Sequence, residues 1–346
     1  MEIGVCRFNN IDSVTCYMNS ILSIIQQMPL FADYLLTVKH EGPITSQLGK
    51  LMYNSHTRDD MLLTPTSFRN AISMKNSMWG MKEQQDSQEF FNFLLCSIEE
   101  EIKKKVIFVP GRKFNMELNK QNICVSGGLL VSPETHIYNI IQSIHMNVIK
   151  QNSLMEEYSI VKKLFGGMVH NIIKCNYCGN KSHNYDSFFT LQLNVKNDIY
   201  DSMDDFIKEE QIDRDNMILC DFCGMKNKAH KKTAISSMPE ILVIHLKRFM
   251  VNNYGVITRK ISSMVKYPLE LDITKYGEGE SGLYKLFGVN MHHSIGHRDN
   301  ANYGHYTSIV VNRNNNKWYH YDDNRDVEEV NCHEHKNAYM LFYCKN

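Results

Sequence analysis

The sequence lacks the features that mark several large classes of proteins. Its 38 basic residues balance its 38 acidic residues, so its net charge gives no attraction to nucleic acid. No apolar run approaches the roughly 18 to 20 residues that span a bilayer. The first residues show no basic segment followed by an apolar stretch, so we expect no signal peptide. These absences predict a soluble, monomeric, intracellular protein, cytoplasmic or nuclear, with neither nucleic acid nor membrane as a partner.

Apolar periodicity divides the 346 residues into a helical first part and a strand-rich second part. It predicts a helix over 16–28, with Thr15 as N-cap and Pro29 as stop, and a helix over 86–105, capped by Asp86. A further helix is predicted over 137–149. Helices followed by strands indicate an α+β fold. The predicted strands cover residues 188–195, 241–246, 287–291, 306–311, 318–321 and 338–343.

Ten cysteines are present, and without a signal peptide we expect them to stay reduced. Closely spaced pairs are then metal ligands or catalysts. Cys175 and Cys178 form one Cys-x-x-Cys pair, Cys220 and Cys223 form another, and a glycine follows each pair. Four thiolates suit a tetrahedral Zn²⁺ ion with Zn–S bonds of about 2.3 Å and no open position. The pairs therefore predict one structural zinc ion, with free thiols and redox chemistry as alternatives.

Cys16 begins the first predicted helix, where unpaired backbone amides and the helix dipole favour a thiolate. A nucleophilic thiol also needs a base, and the base needs an orienting acceptor. His305 lies in a Tyr-Gly-His-Tyr segment, and Asp322 and Asp323 follow Tyr321. Such widely separated residues are typical of a site that folding assembles. We predict Cys16 as nucleophile, His305 as base and Asp322 as acceptor, with Asp323 as its alternate. The other interpretation of Cys16 is a small core residue.

Six segments resemble, in the same order, motifs of the ubiquitin-specific proteases, a cysteine peptidase family of papain-like ancestry. The resemblance extends from about residue 4 to residue 344. Each motif is modestly specific, but six in the right order are hard to obtain by chance. The segments are residues 15–20 (TCYMNS), 84–90 (QQDSQEF), 164–178 (from LFGG to CNYC), 239–249 (PEILVIHLKRF), 303–306 (YGHY) and 318–343 (from WYHYDD to AYMLFY).

The resemblance implies a papain-like thumb, palm and fingers architecture within a single catalytic domain, residues 1–346. The helical thumb would be residues 1–164, the zinc-clipped β fingers residues 165–245, and the palm sheet residues 246–346. Ubiquitin would lie in the fingers and palm. Its C-terminal tail would pass between thumb and palm to the nucleophile.

The resemblance also implies which residues contact the substrate. Asp86, together with Gln85 and Tyr306, would bind the basic tail of ubiquitin, because carboxylates pair well with guanidinium groups. Segments 250–262 and 292–303 would border the tail channel. The partners implied are ubiquitin and ubiquitinated proteins.

The implied activity is that of a thiol-dependent deubiquitinase. It would hydrolyse the peptide or isopeptide bond after the C-terminal glycine of ubiquitin through a Cys-His-Asp triad. Two alternatives remain open. The chain would be a catalytically weak ubiquitin-binding module if its active site were defective, or it would be a peptidase for a ubiquitin-like modifier if its channel fitted another tail.

The segment before the nucleophile departs from the family pattern. The family has Gly-Leu-x-Asn-x-Gly-Asn-Thr-Cys, whose first Asn donates to the oxyanion. Here Ile11 stands five residues before Cys16, and its side chain cannot donate. Asn10 would take this role if one extra residue bulges the loop. Loss of an oxyanion donor costs about 10²- to 10³-fold in rate, so this loop motivates the binding-module alternative.

Overall fold

A computed structural model describes residues 5–38, 40–57, 62–109, 124–126, 154–213, 216–252, 257–277, 282–294, 304–331 and 336–346. The helix predicted over 137–149 lies outside these residues. Among the residues described, none of the helices combines the length and the apolar character needed to cross a bilayer.

Helices dominate the first part of the chain, as the periodicity predicts. Short 3-10 turns cover Ile11–Ser13 and Ser77–Gly80. The α-helices are α1 (Cys16–Ile25), α2 (Phe31–Thr37), α3 (Pro43–Thr57), α4 (Thr66–Lys75), α5 (Ser87–Ile102), α6 (Ile160–Phe165) and α7 (Ile199–Ile207).

Strands dominate the second part, so the predicted α+β class is confirmed. The strands are β1 (Arg7–Phe8), β2 (Leu62–Leu63), β3 (Lys104–Val109), β4 (Cys124–Ser126), β5 (Leu154–Tyr158), β6 (Gly167–Cys175), β7 (Lys181–Phe188), β8 (Leu191–Asn194), β9 (Glu210–Ile212), β10 (Ile218–Leu219), β11 (Lys226–Asn227), β12 (Ala229–Ser237), β13 (Ile241–Lys247), β14 (Phe249–Val251), β15 (Ile257–Lys260), β16 (Glu270–Asp272), β17 (Leu283–Ser294), β18 (Gly304–Val311), β19 (Trp318–Tyr321), β20 (Glu328–Val330) and β21 (Ala338–Lys345).

The two helices that matter for the site differ from prediction at their ends. Helix α1 ends at Ile25 rather than at residue 28, because the backbone then tightens into 3-10 hydrogen bonds, such as Gln27 N to Ile24 O at 3.1 Å. Thr15 occupies the predicted N-cap position, but its side chain makes no capping hydrogen bond. The predicted cap of α5 is confirmed, since Asp86 accepts from the first turn of that helix.

The central sheet has eight strands in the order β20-β19-β18-β17-β21-β13-β8, with β16 beside β17. Only β8 and β13 pair in parallel among the described strands of this sheet. Both faces of β13 are buried. Ile241 and Val243 join the core shared with the N-terminal helices, whereas Leu242, Ile244 and Leu246 join a second core with α7. This double burial explains the continuous apolar run of that strand.

A separate four-stranded sheet, in the order β7-β6-β12-β9, carries the small β10–β11 hairpin near its end. Strands β8 and β13 fall within the range 165–245 assigned to the fingers, yet they pair in the central sheet. The separate sheet therefore takes its strands from residues 167–188 and 210–237. The boundaries between thumb, fingers and palm remain a prediction.

Candidate active site

Cys16 is the first residue of α1, and only 2% of its surface is exposed. His305 approaches it from β18, close enough for the Cys16 side chain to influence the protonation of its ring. On the same ring, Nε2 lies 2.5 Å from Oδ1 of Asp322. Because Nε2 is engaged by a carboxylate, Nδ1 is the nitrogen left to face the thiol. The structure thus brings together three residues that the sequence separates widely.

The protonation of His305 follows from these two contacts. Its pKa is raised to about 9, first because of the hydrogen bond to Cys16, with a further contribution from Asp322 that acts against the lowering effect of burial. An imidazolium is therefore favoured at neutral pH, and that is the state that pairs with a thiolate. Asp322 is itself held by Arg325, whose Nη1 lies 2.8 Å from Oδ2.

Asp323 lies beside this group but has other partners. Its Oδ2 is 3.9 Å from Nε2 of His305, beyond hydrogen-bond distance. Its carboxylate instead accepts from Asn19 Nδ2 at 2.8 Å and from Asn10 Nδ2 at 2.7 Å. Burial raises the pKa of Asp323. Asp322 therefore contacts the imidazole directly, while Asp323 fastens α1 and the loop before it.

The loop before Cys16 contains an irregular turn. Asp12 and Ser13 both have positive φ values, of 55° and 58°, in the region that residues other than glycine rarely adopt. Oδ2 of Asp12 pairs with Nη1 of the buried Arg69 at 2.9 Å, which holds the turn in place. The chain thus turns sharply between Asn10 and Cys16, and the role of Asn10 stays a prediction.

Asn10 is tied to the peptide that precedes the nucleophile. Its Oδ1 accepts from the backbone N–H of Thr15 at 2.8 Å and from the Thr15 hydroxyl at 3.2 Å. Its Nδ2 donates one hydrogen bond to Asp323. A side-chain amide carries two N–H donors, and this contact uses one of them.

Asp86 makes four hydrogen bonds within the protein. Its Oδ1 accepts from the backbone N–H groups of Gln88 and Glu89, at 2.7 and 3.0 Å. Its Oδ2 accepts from the hydroxyls of Tyr306 and Tyr339, at 3.1 and 2.6 Å. A carboxylate offers about four acceptor positions, so all are filled. Asp86 therefore ties the start of α5 to strands β18 and β21.

The other predicted contact residues surround this point. Gln85 is half-buried, and its neighbour Gln84 accepts a hydrogen bond from the backbone N–H of Gly304 at 3.2 Å. Of the two predicted channel segments, residues 253–256 and 295–303, and with them Tyr303, lie outside the described residues.

The four paired cysteines form one cluster at the end of the separate sheet. Their sulfur atoms lie within 4.8 Å of one another, and Sγ of Cys178 is 3.7 Å from Sγ of Cys220. Bonds of about 2.3 Å to one central ion would separate neighbouring sulfur atoms by about 3.8 Å. The cluster can therefore hold a metal ion.

The two cysteine turns have matching backbones. Gly179 N–H donates to Cys175 O at 3.0 Å, and Gly224 N–H donates to Cys220 O at 2.8 Å. Both glycines have positive φ, of 73° and 69°, and a Cβ would meet no atom at either. The backbone conformation, rather than lack of space, thus favours glycine after each pair.

Comparison with known proteins agrees with this geometry. The family model described as ubiquitin carboxyl-terminal hydrolase matches residues 6–343. The chain belongs to that family. Within the ubiquitin carboxyl-terminal hydrolases it is similar to Usp2 of Drosophila melanogaster, with 27% identity over 98% of this chain and 35% of that protein. It is also similar to ubiquitin carboxyl-terminal hydrolase 21 of Homo sapiens, with 26% identity over 99% of this chain and 61% of that protein.

A solved structure shows that the fold is similar as well. A chain of the SAGA DUB module Ubp8/Sgf11/Sus1/Sgf73 bound to monoubiquitin aligns with a TM-score of 0.74 and 21% identity. The alignment covers 100% of this chain and 70% of that chain. The predicted thumb, palm and fingers architecture is thereby confirmed. The chain spans 35% and 40% of the length of two curated relatives, Usp2 and ubiquitin carboxyl-terminal hydrolase 4 of Vanderwaltozyma polyspora.

Several polar residues near the site were not foreseen. Asn19 is buried one turn after Cys16 and holds Asp323. Ser87 and Asn290 are fully buried and bonded to each other at 2.8 Å. The available signal was a polar residue within an apolar pattern, as with Asn290 in the strand near Phe287. That signal does not identify the partner, because it carries no information about residues far away in the chain.

Proposed function

We propose that this chain is a thiol-dependent deubiquitinase that cleaves the bond after the C-terminal glycine of ubiquitin. The observation that carries the proposal is the grouping of a buried helix-start thiol, Cys16, with the neighbouring His305, whose ring is bonded to Asp322. Membership of the ubiquitin carboxyl-terminal hydrolases and the likeness to a ubiquitin-bound chain support this substrate class.

The reaction begins with proton transfer from Cys16 to His305. His305 takes the thiol proton as general base, and Sγ of Cys16 attacks the carbonyl carbon of the terminal glycine. The bond to the leaving amine then breaks, and His305 supplies the proton that the amine takes. The thioester that remains is attacked by water, whose proton returns to His305, and the C–S bond breaks to release ubiquitin. Asp322 keeps the ring oriented throughout.

The oxyanion formed in each step needs donors. We propose the second N–H of Asn10 and the backbone amide of Cys16 as these donors, because Asn10 is hydrogen-bonded to the backbone N–H of Thr15, next to Cys16. The hydrogen bond from Asn10 to Asp323 orients the amide and is present before substrate arrives. A preorganised donor lowers the barrier because nothing must rearrange during the reaction.

We propose Zn²⁺ as the ion of the cysteine cluster. Four sulfur ligands at tetrahedral spacing leave no position for substrate, which is typical of a structural site. Nδ2 of Asn180 donates to Sγ of Cys178 at 3.5 Å, a contact that favours a thiolate ligand. The ion would hold the two turns of the fingers together and have no part in the chemical step.

We propose that the partners are ubiquitin and ubiquitinated proteins, and that a monomer inside the cell acts on them. Asp86, Gln85 and Tyr306 would line the channel for the ubiquitin tail. Because the four acceptor positions of Asp86 are filled, a basic tail residue that pairs with it must replace a tyrosine hydroxyl. The proximity of Cys16 to His305 argues against the binding-module alternative. Comparing ubiquitin with ubiquitin-like modifiers as substrates decides the modifier alternative.

The test is reaction of the purified protein with ubiquitin that carries a C-terminal thiol-reactive group. We expect a covalent adduct with the wild type, none with Cys16→Ala and a slower one with His305→Ala. Matched probes built on ubiquitin-like modifiers are run in parallel. An adduct with one of those probes alone would move the assignment to that modifier, and ubiquitin binding without any adduct would favour the binding module.

A further inference from the structure

A buried amide on the central sheet connects helix α1, which begins at Cys16, with helix α5, which begins at Ser87. Asn290 lies on β17 with none of its surface exposed. Its Oδ1 accepts a hydrogen bond from the Ser87 hydroxyl at 2.8 Å, and its Nδ2 donates to Oγ of Ser20 at 2.8 Å. Ser87 is the first residue of α5, and Ser20 lies one turn beyond Cys16 on α1.

The hydrogen bonds of this group have defined directions. Ser20 Oγ donates onward to the carbonyl of Tyr17 at 3.1 Å, so its proton is committed and it accepts from Asn290. Ser87 must donate, because Oδ1 of Asn290 can only accept. Ser87 and Ser20 are 0% and 3% exposed, so water cannot replace these contacts. A buried polar group is costly unless it is bonded, which makes the arrangement specific.

The same strand also sets the position of the base. Strand β17 pairs with β18 so that His293 lies opposite His305 and Asn290 opposite Ser308. On the other side of Asn290, one helical turn separates Ser20 from Cys16, and residues so spaced have Cβ atoms about 5–6 Å apart. A rigid strand and a rigid helix thus connect base and nucleophile, with the Asn290–Ser20 hydrogen bond as the junction between them.

We propose that Asn290 is a positioning residue that fixes the helix of Cys16 relative to the strand pair of His305. This inference rests on the proposed function, because the distance between thiol and imidazole matters only if the two react together. Asn290 touches neither reacting atom, and it acts through Ser20. Loss of the junction lets α1 shift against the sheet, which weakens the contact that keeps the thiolate and imidazolium paired.

A part-buried contact between α5 and the segment before β8 provides a control. Oγ1 of Thr190 donates to Oδ1 of Asn92 on α5 at 2.8 Å, and Thr190 is 7% exposed. This bond also joins a helix to the segment leading into the central sheet, but it does not involve α1. Thr190→Val keeps the shape of the side chain and removes the hydroxyl, so it measures the general effect of losing such a bond.

The experiment compares Asn290→Ala, Ser20→Ala and Thr190→Val with the wild type. The first readout is the pH dependence of Cys16 alkylation by iodoacetamide, followed at that residue by mass spectrometry. The second is kcat and KM for a fluorogenic ubiquitin C-terminal amide. We expect Asn290→Ala and Ser20→Ala to move the alkylation midpoint to higher pH and to lower kcat about tenfold or more, with KM changed less than about twofold. Thr190→Val should match the wild type in both.

The proposal is overturned if Asn290→Ala and Ser20→Ala behave as Thr190→Val does. If Asn290→Ala fails to fold, Ser20→Ala decides alone, because alanine is a good helix former and only one hydroxyl is lost. A wild type that does not react with ubiquitin substrates would contradict the proposed function. Because alkylation needs no substrate, the alkylation midpoints would still support or overturn the role of Asn290.

Discussion

Nε2 of His305 lies 2.5 Å from Oδ1 of Asp322. The neighbouring carboxylate of Asp323 is 3.9 Å from the same nitrogen and accepts from the amides of Asn10 and Asn19. Two adjacent acidic residues therefore have separate structural tasks. One contacts the imidazole of His305, and the other holds the loop before Cys16 and the helix that begins there.

The two aspartates should respond differently to amide substitution. Asp322→Asn presents an amide to the imidazole and disturbs its tautomer, so we expect kcat to fall by about 10²- to 10⁴-fold with little change in stability. In Asp323→Asn one carboxylate oxygen becomes an NH2 group, which then faces the N–H donors of Asn10 or Asn19 in a buried place. This repulsion should lower the free energy of unfolding by about 1–3 kcal/mol. Steady-state kinetics and urea unfolding of both variants check this. Equal kinetic losses would mean that the carboxylates share the orienting role.

The raised pKa of His305 predicts a pH-dependent part of the stability. The value of about 9 in the folded protein exceeds the ordinary 6.5, so the folded state binds this proton more tightly than the unfolded state. The stabilisation is fully present below about pH 6.5 and is lost as the pH rises through about 9. We expect the difference in unfolding free energy between wild type and His305→Gln to shrink over that interval. A difference that stays constant from pH 6 to about 9.5 would contradict the shift.

Loss of one metal ligand should loosen the fingers without disabling the thiol. For Cys223→Ser we expect the bound zinc to fall from one ion per chain and amide exchange to rise in β10 and β11. Ubiquitin should bind more weakly, while alkylation of Cys16 by a small reagent keeps its rate. Cys96→Ser is the control, because Cys96 is a free, exposed cysteine outside the cluster. Slower alkylation in Cys223→Ser alone would instead connect the cluster to the active site.

Gly304 tolerates no side chain. A Cβ there would lie 2.0 Å from Nε2 of His292 and 2.9 Å from the carbonyl oxygen of His293, and the residue precedes His305. Gly304→Ala should therefore displace the base and lower kcat by about 10²-fold or more. The control is Gly282→Ala, whose Cβ would approach nothing nearer than Lys345 Cε at 3.5 Å. Normal activity in Gly304→Ala would show that His292 moves aside freely.

Local sequence patterns predicted the helices nearest the site. The apolar spacing after Cys16 located α1, and Asp86 located the start of α5, because caps and amphipathic faces depend on neighbouring residues. Thr15 failed as a cap because its hydroxyl accepts from the backbone of Ile11 at 2.8 Å. The bulge between them turns the chain, and that turn is not encoded in residue type alone.

Contacts between residues far apart in the sequence were harder to predict. Residue types and their local context indicated Cys16, His305 and Asp322. Motif resemblance gave Asp86 a substrate contact, without the two tyrosine hydroxyls that fill its acceptor positions. It could not foresee the bond of Ser87 to Asn290, which spans 203 residues. Such pairs are set by tertiary packing, which periodicity along the chain does not describe.

Strand β21 follows every other strand of the central sheet in the sequence, yet it lies between β17 and β13 in that sheet. Synthesis runs from the N-terminus, so the middle of the sheet is the last piece to emerge. Until then β17, which pairs with the strand of His305, lacks β21 as its other neighbour. The growing chain should thus remain inert toward ubiquitin, and a version that stops before Ala338 should give no adduct with the ubiquitin probe. Reactivity toward the probe would therefore appear in one late step, when β21 takes its place between β17 and β13.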